Sequence, residues 1–198
     1  MVYFIRMLNG VEIVELPFDS KGIIQKLVLK GFGLSQYQYI INNYLISNIT
    51  DNKEFQTKFN AFYIVRRDQK WRDKYYSFFE ANKRNTKLEF REIIEYLFNE
   101  TGNIEPSFSS KMIATINPNM PIWDQYVLEN LGLKVEGKTK KERLENSIQT
   151  YDEIVNWYSK AIKSPQGIEA IKLFDELLPE QRAISDIKKI DCFLWQNR

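Results

Sequence analysis

The sequence predicts a mainly α-helical fold with a small N-terminal β-hairpin, and three observations carry that prediction. Apolar residues recur at intervals of three and four through most of the chain. Capping residues and breakers punctuate those stretches at helical lengths. An Asn9-Gly10 pair sits between two alternating runs near the start, the strongest short-range signal for a two-residue β-turn.

The hairpin is expected over about residues 2–16, with Tyr3 to Leu8 and Val11 to Leu16 as its arms. Asp19 or Ser20 can cap a first helix running to about Lys30, and Gly31-Phe32-Gly33 breaks it. Ser35 is expected to cap a second helix, in which Tyr39, Ile40, Asn43 and Tyr44 are spaced by three and four. Asp51 with Glu54 reads as a capping box opening a third, whose stripe is Phe55, Phe59, Phe62 and Tyr63. Residues 68–84 and 87–100 read as further amphipathic helices, ended by Thr101-Gly102-Asn103. A lysine-rich stretch from Lys134 to Arg143 reads as a surface loop feeding a long helix from about Thr139 to Lys163. Ser164-Pro165 stops that helix, because proline lacks the amide donor and disfavours helical backbone in the residue before it. Two short helices follow, and the tail Ile190 to Trp195 is apolar enough to dock on a core.

Composition bounds the chemistry. With 198 residues, 43 % of them hydrophobic and including 13 Phe, 11 Tyr and 4 Trp, the chain can build one sizeable core, so a single domain over 1–198 is expected. The formal charge of +2 supplies no global field, so any attraction to nucleic acid must come from a local patch. The absence of histidine removes Ser-His-Asp and Cys-His catalysis and His-ligated zinc. One cysteine, Cys192, allows no intramolecular disulfide and reads as a buried packing thiol. No cofactor and no metal is expected. No stretch approaches the roughly 18 consecutive apolar residues of a membrane span, and no basic leader is evident, so no membrane association and a reduced, cytoplasmic setting are expected.

The segment of about 105–132 is the most distinctive. Glu105-Pro106-Ser107-Phe108-Ser109-Ser110-Lys111 is expected to form a tight turn and then a short apolar helix beginning near Ser109 or Ser110. Pro118 and Pro121 mark a loop, and Asp124 caps the next helix. Lys111 would then stand at one helix start and Asp124 at the next, and exposed N–H groups at the first could hold a phosphate.

This arrangement resembles the helix-hairpin-helix DNA glycosylases, most of all the 8-oxoguanine glycosylase branch. The hairpin of that family reads leucine, proline, glycine, any residue, glycine, any residue, lysine, and Pro106 to Lys111 aligns with it without a gap. Ser107 and Ser109 stand where the family has glycine. Pro121-Ile122-Trp123-Asp124 is similar to the proline, apolar residue and aspartate that follow, with one extra residue. The resemblance implies a compact multi-helix domain of DNA-glycosylase type acting on duplex DNA with a damaged base. It implies base excision, with an AP-lyase step where Lys111 attacks the sugar C1′ and forms a Schiff base. Asp124 would be the assisting carboxylate, stabilising positive charge on the sugar, and Ser107, Ser109 and Ser110 would meet the DNA backbone.

A second reading of the residues stays open. Arg66, Arg67 and Arg72 interleave with aromatic residues between Phe62 and Tyr76, and Lys138, Lys140, Lys141 and Arg143 form another basic run. Either surface would suit a non-catalytic helical module that binds nucleic acid or a protein partner, in which Asp124 is only a cap and Lys111 only a surface charge. The stronger reading of the first run is a solvated basic face on a helix whose aromatic residues pack inward, and a solvated charge run is the default for the second.

Overall fold

The computed structural model describes residues 5–8, 11–30 and 33–197. The protein is mainly helical, and the chain divides into two compact units, Gly33–Asn117 and the discontinuous pair Met1–Phe32 with Pro118–Arg198.

In the discontinuous unit, Ile5–Leu8 (β1) and Val11–Val14 (β2) pair antiparallel, Ile5 opposite Val14 and Leu8 opposite Val11. The Asn9-Gly10 connection and the earlier residues of the expected hairpin lie outside the described residues. Helix α1 spans Ser20–Lys30, with the Asp19 carboxylate accepting from the backbone N–H groups of Lys21 and Gly22.

Five helices in the other unit follow: α2 (Leu34–Asn43), α3 (Lys53–Tyr63), α4 (Gln69–Asn82), α5 (Phe90–Thr101) and α6 (Pro106–Ile116). Two starts differ from expectation. Helix α2 is entered through Gly33 in the left-handed conformation, which places Ser35 inside the helix. Helix α3 is capped by Asn52, whose side chain accepts from Phe55 N–H, because the Asp51 carboxylate already accepts from Asn48 Nδ2 at 2.7 Å. The core of this unit is aromatic. Phe55, Phe59 and Tyr63 of α3 interlock with Tyr75, Tyr76 and Phe79 of α4, mostly in tilted and edge-to-face pairs. Two buried hydroxyls are tied down: Tyr76 donates to Asn60 Oδ1 and Tyr75 to the Phe108 carbonyl of α6.

The discontinuous unit resumes with α7 (Gln125–Leu131), α8 (Lys140–Ala161), α9 (Pro165–Leu177), one 3-10 turn at Pro179–Gln181 and α10 (Asp186–Gln196). Thr139 and Glu142 form a reciprocal capping box that starts α8, and Ser164 caps α9 with Pro165 in its first turn. The apolar tail is α10, enclosed on most sides: Phe193 stacks on Phe18 and meets Phe174 edge-on, while α1, α7, α8 and α9 all pack against this helix. Among the described residues no helix is long and apolar enough to cross a membrane.

Candidate functional site

Lys111 belongs to α6, in the unit Gly33–Asn117, and its setting differs from the expected helix start. Proline carries the φ of a first helical turn and needs no amide partner there, so Pro106 opens the helix about three residues earlier than Ser109 or Ser110. Lys111 is therefore the sixth residue of α6, and the tight turn expected from Pro106 onward is helix instead. Ser109 donates its N–H and its hydroxyl to the Glu105 carbonyl, and the Ser110 hydroxyl donates to Ser107, so both serines spend their donors inside their own helix. Both are buried, whereas Ser107 is half-buried in the first turn.

Every residue of α6 from Ser109 to Ile116 is buried, which carries the Lys111 side chain into an aromatic interior at 9 % exposure. Its Nζ donates to the carbonyl of Tyr63, the last residue of α3, at 3.0 Å and lies 5.0 Å from the centre of the Phe108 ring. The negative end of the α3 dipole and a ring face both attract a cation there. The amine must leave that carbonyl before it can act as a nucleophile.

Phe108 also meets the Arg67 guanidinium, at 5.3 Å, and the Trp71 ring, at 4.9 Å. Arg67 in turn pairs with Glu105 at 2.8 Å. Glu105 is 4 % exposed, and its second oxygen, Oε1, has no hydrogen-bond partner among the described residues. Arg67 thus neutralises a buried carboxylate at the mouth of α6. Arg72 donates to the Val65 carbonyl, and Arg66 is exposed. The aromatic residues between 62 and 76 divide as their helical spacing implies, with Tyr63, Trp71, Tyr75 and Tyr76 buried in the core.

Asp124 belongs to the other unit, where it caps α7 as its place in the sequence predicts. One oxygen, Oδ1, accepts from Tyr126 N–H at 2.8 Å, and the other, Oδ2, accepts from the indole Nε1 of Trp195 at 3.2 Å. Nearby in this unit, the Tyr158 hydroxyl donates to Asp191 Oδ1 and Lys188 Nζ donates to Asp191 Oδ2 at 2.6 Å. Burial, followed by the Asp191 charge, holds the Tyr158 hydroxyl well above its usual range, so it stays a proton donor. Sequence reading did not find this buried trio or the Glu105–Arg67 pair. The i, i+3 spacing of Lys188 and Asp191 was available as a signal, but it is shared by many solvated helix faces.

Burial also pushes the Cys192 thiol up to about 12, which suits an inert packing residue. Among the described residues, no group of three acidic or cysteine side chains is placed to hold a metal ion. No protein-family model, curated protein or solved structure matches this chain.

Proposed function

We propose that this protein is a DNA base-excision glycosylase of the helix-hairpin-helix type. Lys111 is its nucleophile on the sugar C1′, and Asp124 is the carboxylate that stabilises positive charge on the sugar. The reading is supported chiefly by Asp124. A carboxylate that follows Pro121-Ile122-Trp123 and caps a helix accepts from the Tyr126 N–H and from the Trp195 indole, two neutral donors that fix it without adding a charge. The helical body, the uninterrupted run from Pro106 to Lys111 and the buried amine of Lys111 are in keeping with it. Ser107, in the half-exposed first turn of α6, is the serine best suited to meet a DNA backbone, while Ser109 and Ser110 serve the packing of the helix. The substrate is duplex DNA carrying a damaged base, which must leave the stack to be reached.

In the reaction, attack of the neutral amine at C1′ forms the C–N bond as the C1′–base bond breaks, and the base departs with the bonding pair. One nitrogen proton then passes to the departed base, and breaking of the C1′–O4′ bond, with O4′ taking a proton from water, leaves a protonated Schiff base that can proceed to strand cleavage.

A second reading is favoured by one observation, the exposure of Arg66, Lys70, Lys138, Lys140, Lys141 and Arg143. These cations suit a helical module that binds nucleic acid or an acidic protein partner without chemistry.

Borohydride trapping on labelled duplexes containing 8-oxoguanine, uracil or an abasic site separates the two. The glycosylase reading predicts a covalent adduct with the wild type and none with Lys111→Gln. Glutamine keeps an uncharged N–H donor on a side chain one bond shorter, and unchanged helical circular dichroism checks that the variant retains its fold. Absence of adduct and of base release from every duplex would reject the enzyme. Binding that persists there and falls on Arg66→Glu would leave the module.

A further inference from the structure

We propose that Trp195 is a positioning residue for Asp124, fixing the plane of its carboxylate; this inference rests on the glycosylase reading. An N-cap interaction alone immobilises one oxygen of an aspartate. Tyr126 N–H holds Oδ1, and rotation about the bond to the carboxyl group would leave Oδ2 free to swing. The Trp195 indole removes that freedom by donating to Oδ2 from the last turn of α10. Two donors from two helices define the carboxylate plane, and with it the direction of the remaining lone pairs.

The indole is itself held. The Tyr126 ring meets it edge-on, with centroids 6.2 Å apart and planes at 86°. Its neighbours Phe193 and Leu194 are fully buried, so the turn that carries it cannot roll. Asn130 of α7 clamps the same turn, its Nδ2 donating to the carbonyls of Tyr126 and Leu194 while its Oδ1 accepts from Asn197 at 2.6 Å. Asn197 also donates to the Pro17 carbonyl. The end of α10 is thereby fastened to α7, the helix that Asp124 caps.

The chemistry of the donor fits the role. An indole N–H supplies a hydrogen bond without a charge, so it orients the carboxylate without itself offsetting the negative charge that a sugar cation would meet. A lysine or arginine in the same place would cancel much of that charge. Precise orientation matters because an electrostatic group acts only on the atom at which it is aimed.

Trp195→Phe removes the donor and keeps an aromatic ring against Tyr126. On the duplex that the wild type processes, the variant is expected to lose on the order of tenfold in kcat with KM unchanged. A second readout needs no activity. The indole 15N–1H resonance of Trp195, assigned by its disappearance in Trp195→Phe, should move upfield in Asp124→Asn, where a charged acceptor becomes neutral. Unchanged kcat in Trp195→Phe, or an indole resonance indifferent to Asp124→Asn, would overturn the positioning role even in an active enzyme. A wild type that forms no adduct and releases no base would overturn the glycosylase reading and the positioning role of Trp195 with it. The resonance would then still report whether the indole and the carboxylate are paired.

Discussion

At Ile64 the backbone takes φ 55° and ψ 49°, a left-handed conformation that costs an ordinary residue roughly 1–2 kcal/mol and is rare for a β-branched one. The turn closes α3, folding Val65 N–H back onto the Asn60 carbonyl, directly after the Tyr63 carbonyl that receives Lys111. A side chain that is 48 % exposed offers modest burial in return. Ile64→Gly should therefore raise the urea midpoint, by up to about 1 kcal/mol of stability once the added freedom of the unfolded glycine chain is subtracted. A lowered midpoint would mean that packing of the isoleucine outweighs the strain. Lys111 shows how a residue can be found while its setting is missed. Its sequence neighbours Met112, Ile113 and Ala114 announce a buried helix, but only long-range packing reveals that its amine ends on a carbonyl 48 positions away.

Among the elements, the junction of α8 and α9 has the least room for change. A Cβ placed on Gly167 would overlap the carbonyl oxygen of Ala161 and crowd the Ser164 hydroxyl, and backbone at the end of α8 cannot move aside easily. Gly167→Ala should cost about 1–3 kcal/mol, read as a lowered thermal midpoint. Legibility in the sequence follows the range of the interaction responsible. The Asp124 cap, the start of the long helix near Thr139 and its stop at Ser164-Pro165 were readable because each is decided within about three residues, whereas the reciprocal bond of Thr139 with Glu142 and the capping of α9 by Ser164 were not read. The start of α3 was misread because Asn48 captures Asp51 from the preceding turn, and the start of α6 because proline at N1 outcompeted a turn for which serine lacks the conformational freedom. The partners of Asp124 were half legible. Tyr126 N–H is local, whereas Trp195 lies 71 residues further on and reaches it only through the packing of α10.

For the molecule as a whole, tyrosine ionisation sets the alkaline limit. Burial raises Tyr75 in one unit and Tyr151 and Tyr158 in the other well above the ordinary value near 10. A folded state that binds these protons more tightly than the unfolded chain is fully favoured below that value. It loses the advantage as pH rises from there toward the folded values. Phenolate absorbance should accordingly show these three ionising together with the loss of helical circular dichroism, behind a separate earlier phase from the half-buried Tyr39, Tyr44 and Tyr96. Independent, reversible ionisation of all the tyrosines with the helices intact would contradict their burial. The discontinuous unit has one more consequence, which concerns the ribosome. Leu16 N–H bonds to Gln166, 150 residues later, and α1 packs on α9 and α10. At a synthesis rate of about 5–20 residues per second, α1 emerges roughly seven to thirty seconds before α9 is complete. During that interval Ile23, Ile24 and Leu27, all buried in the finished protein, lack the two helices that pack on α1, while the continuous unit 33–117 can already close. Vectorial synthesis thus makes α1 the stretch of nascent chain most in need of a chaperone.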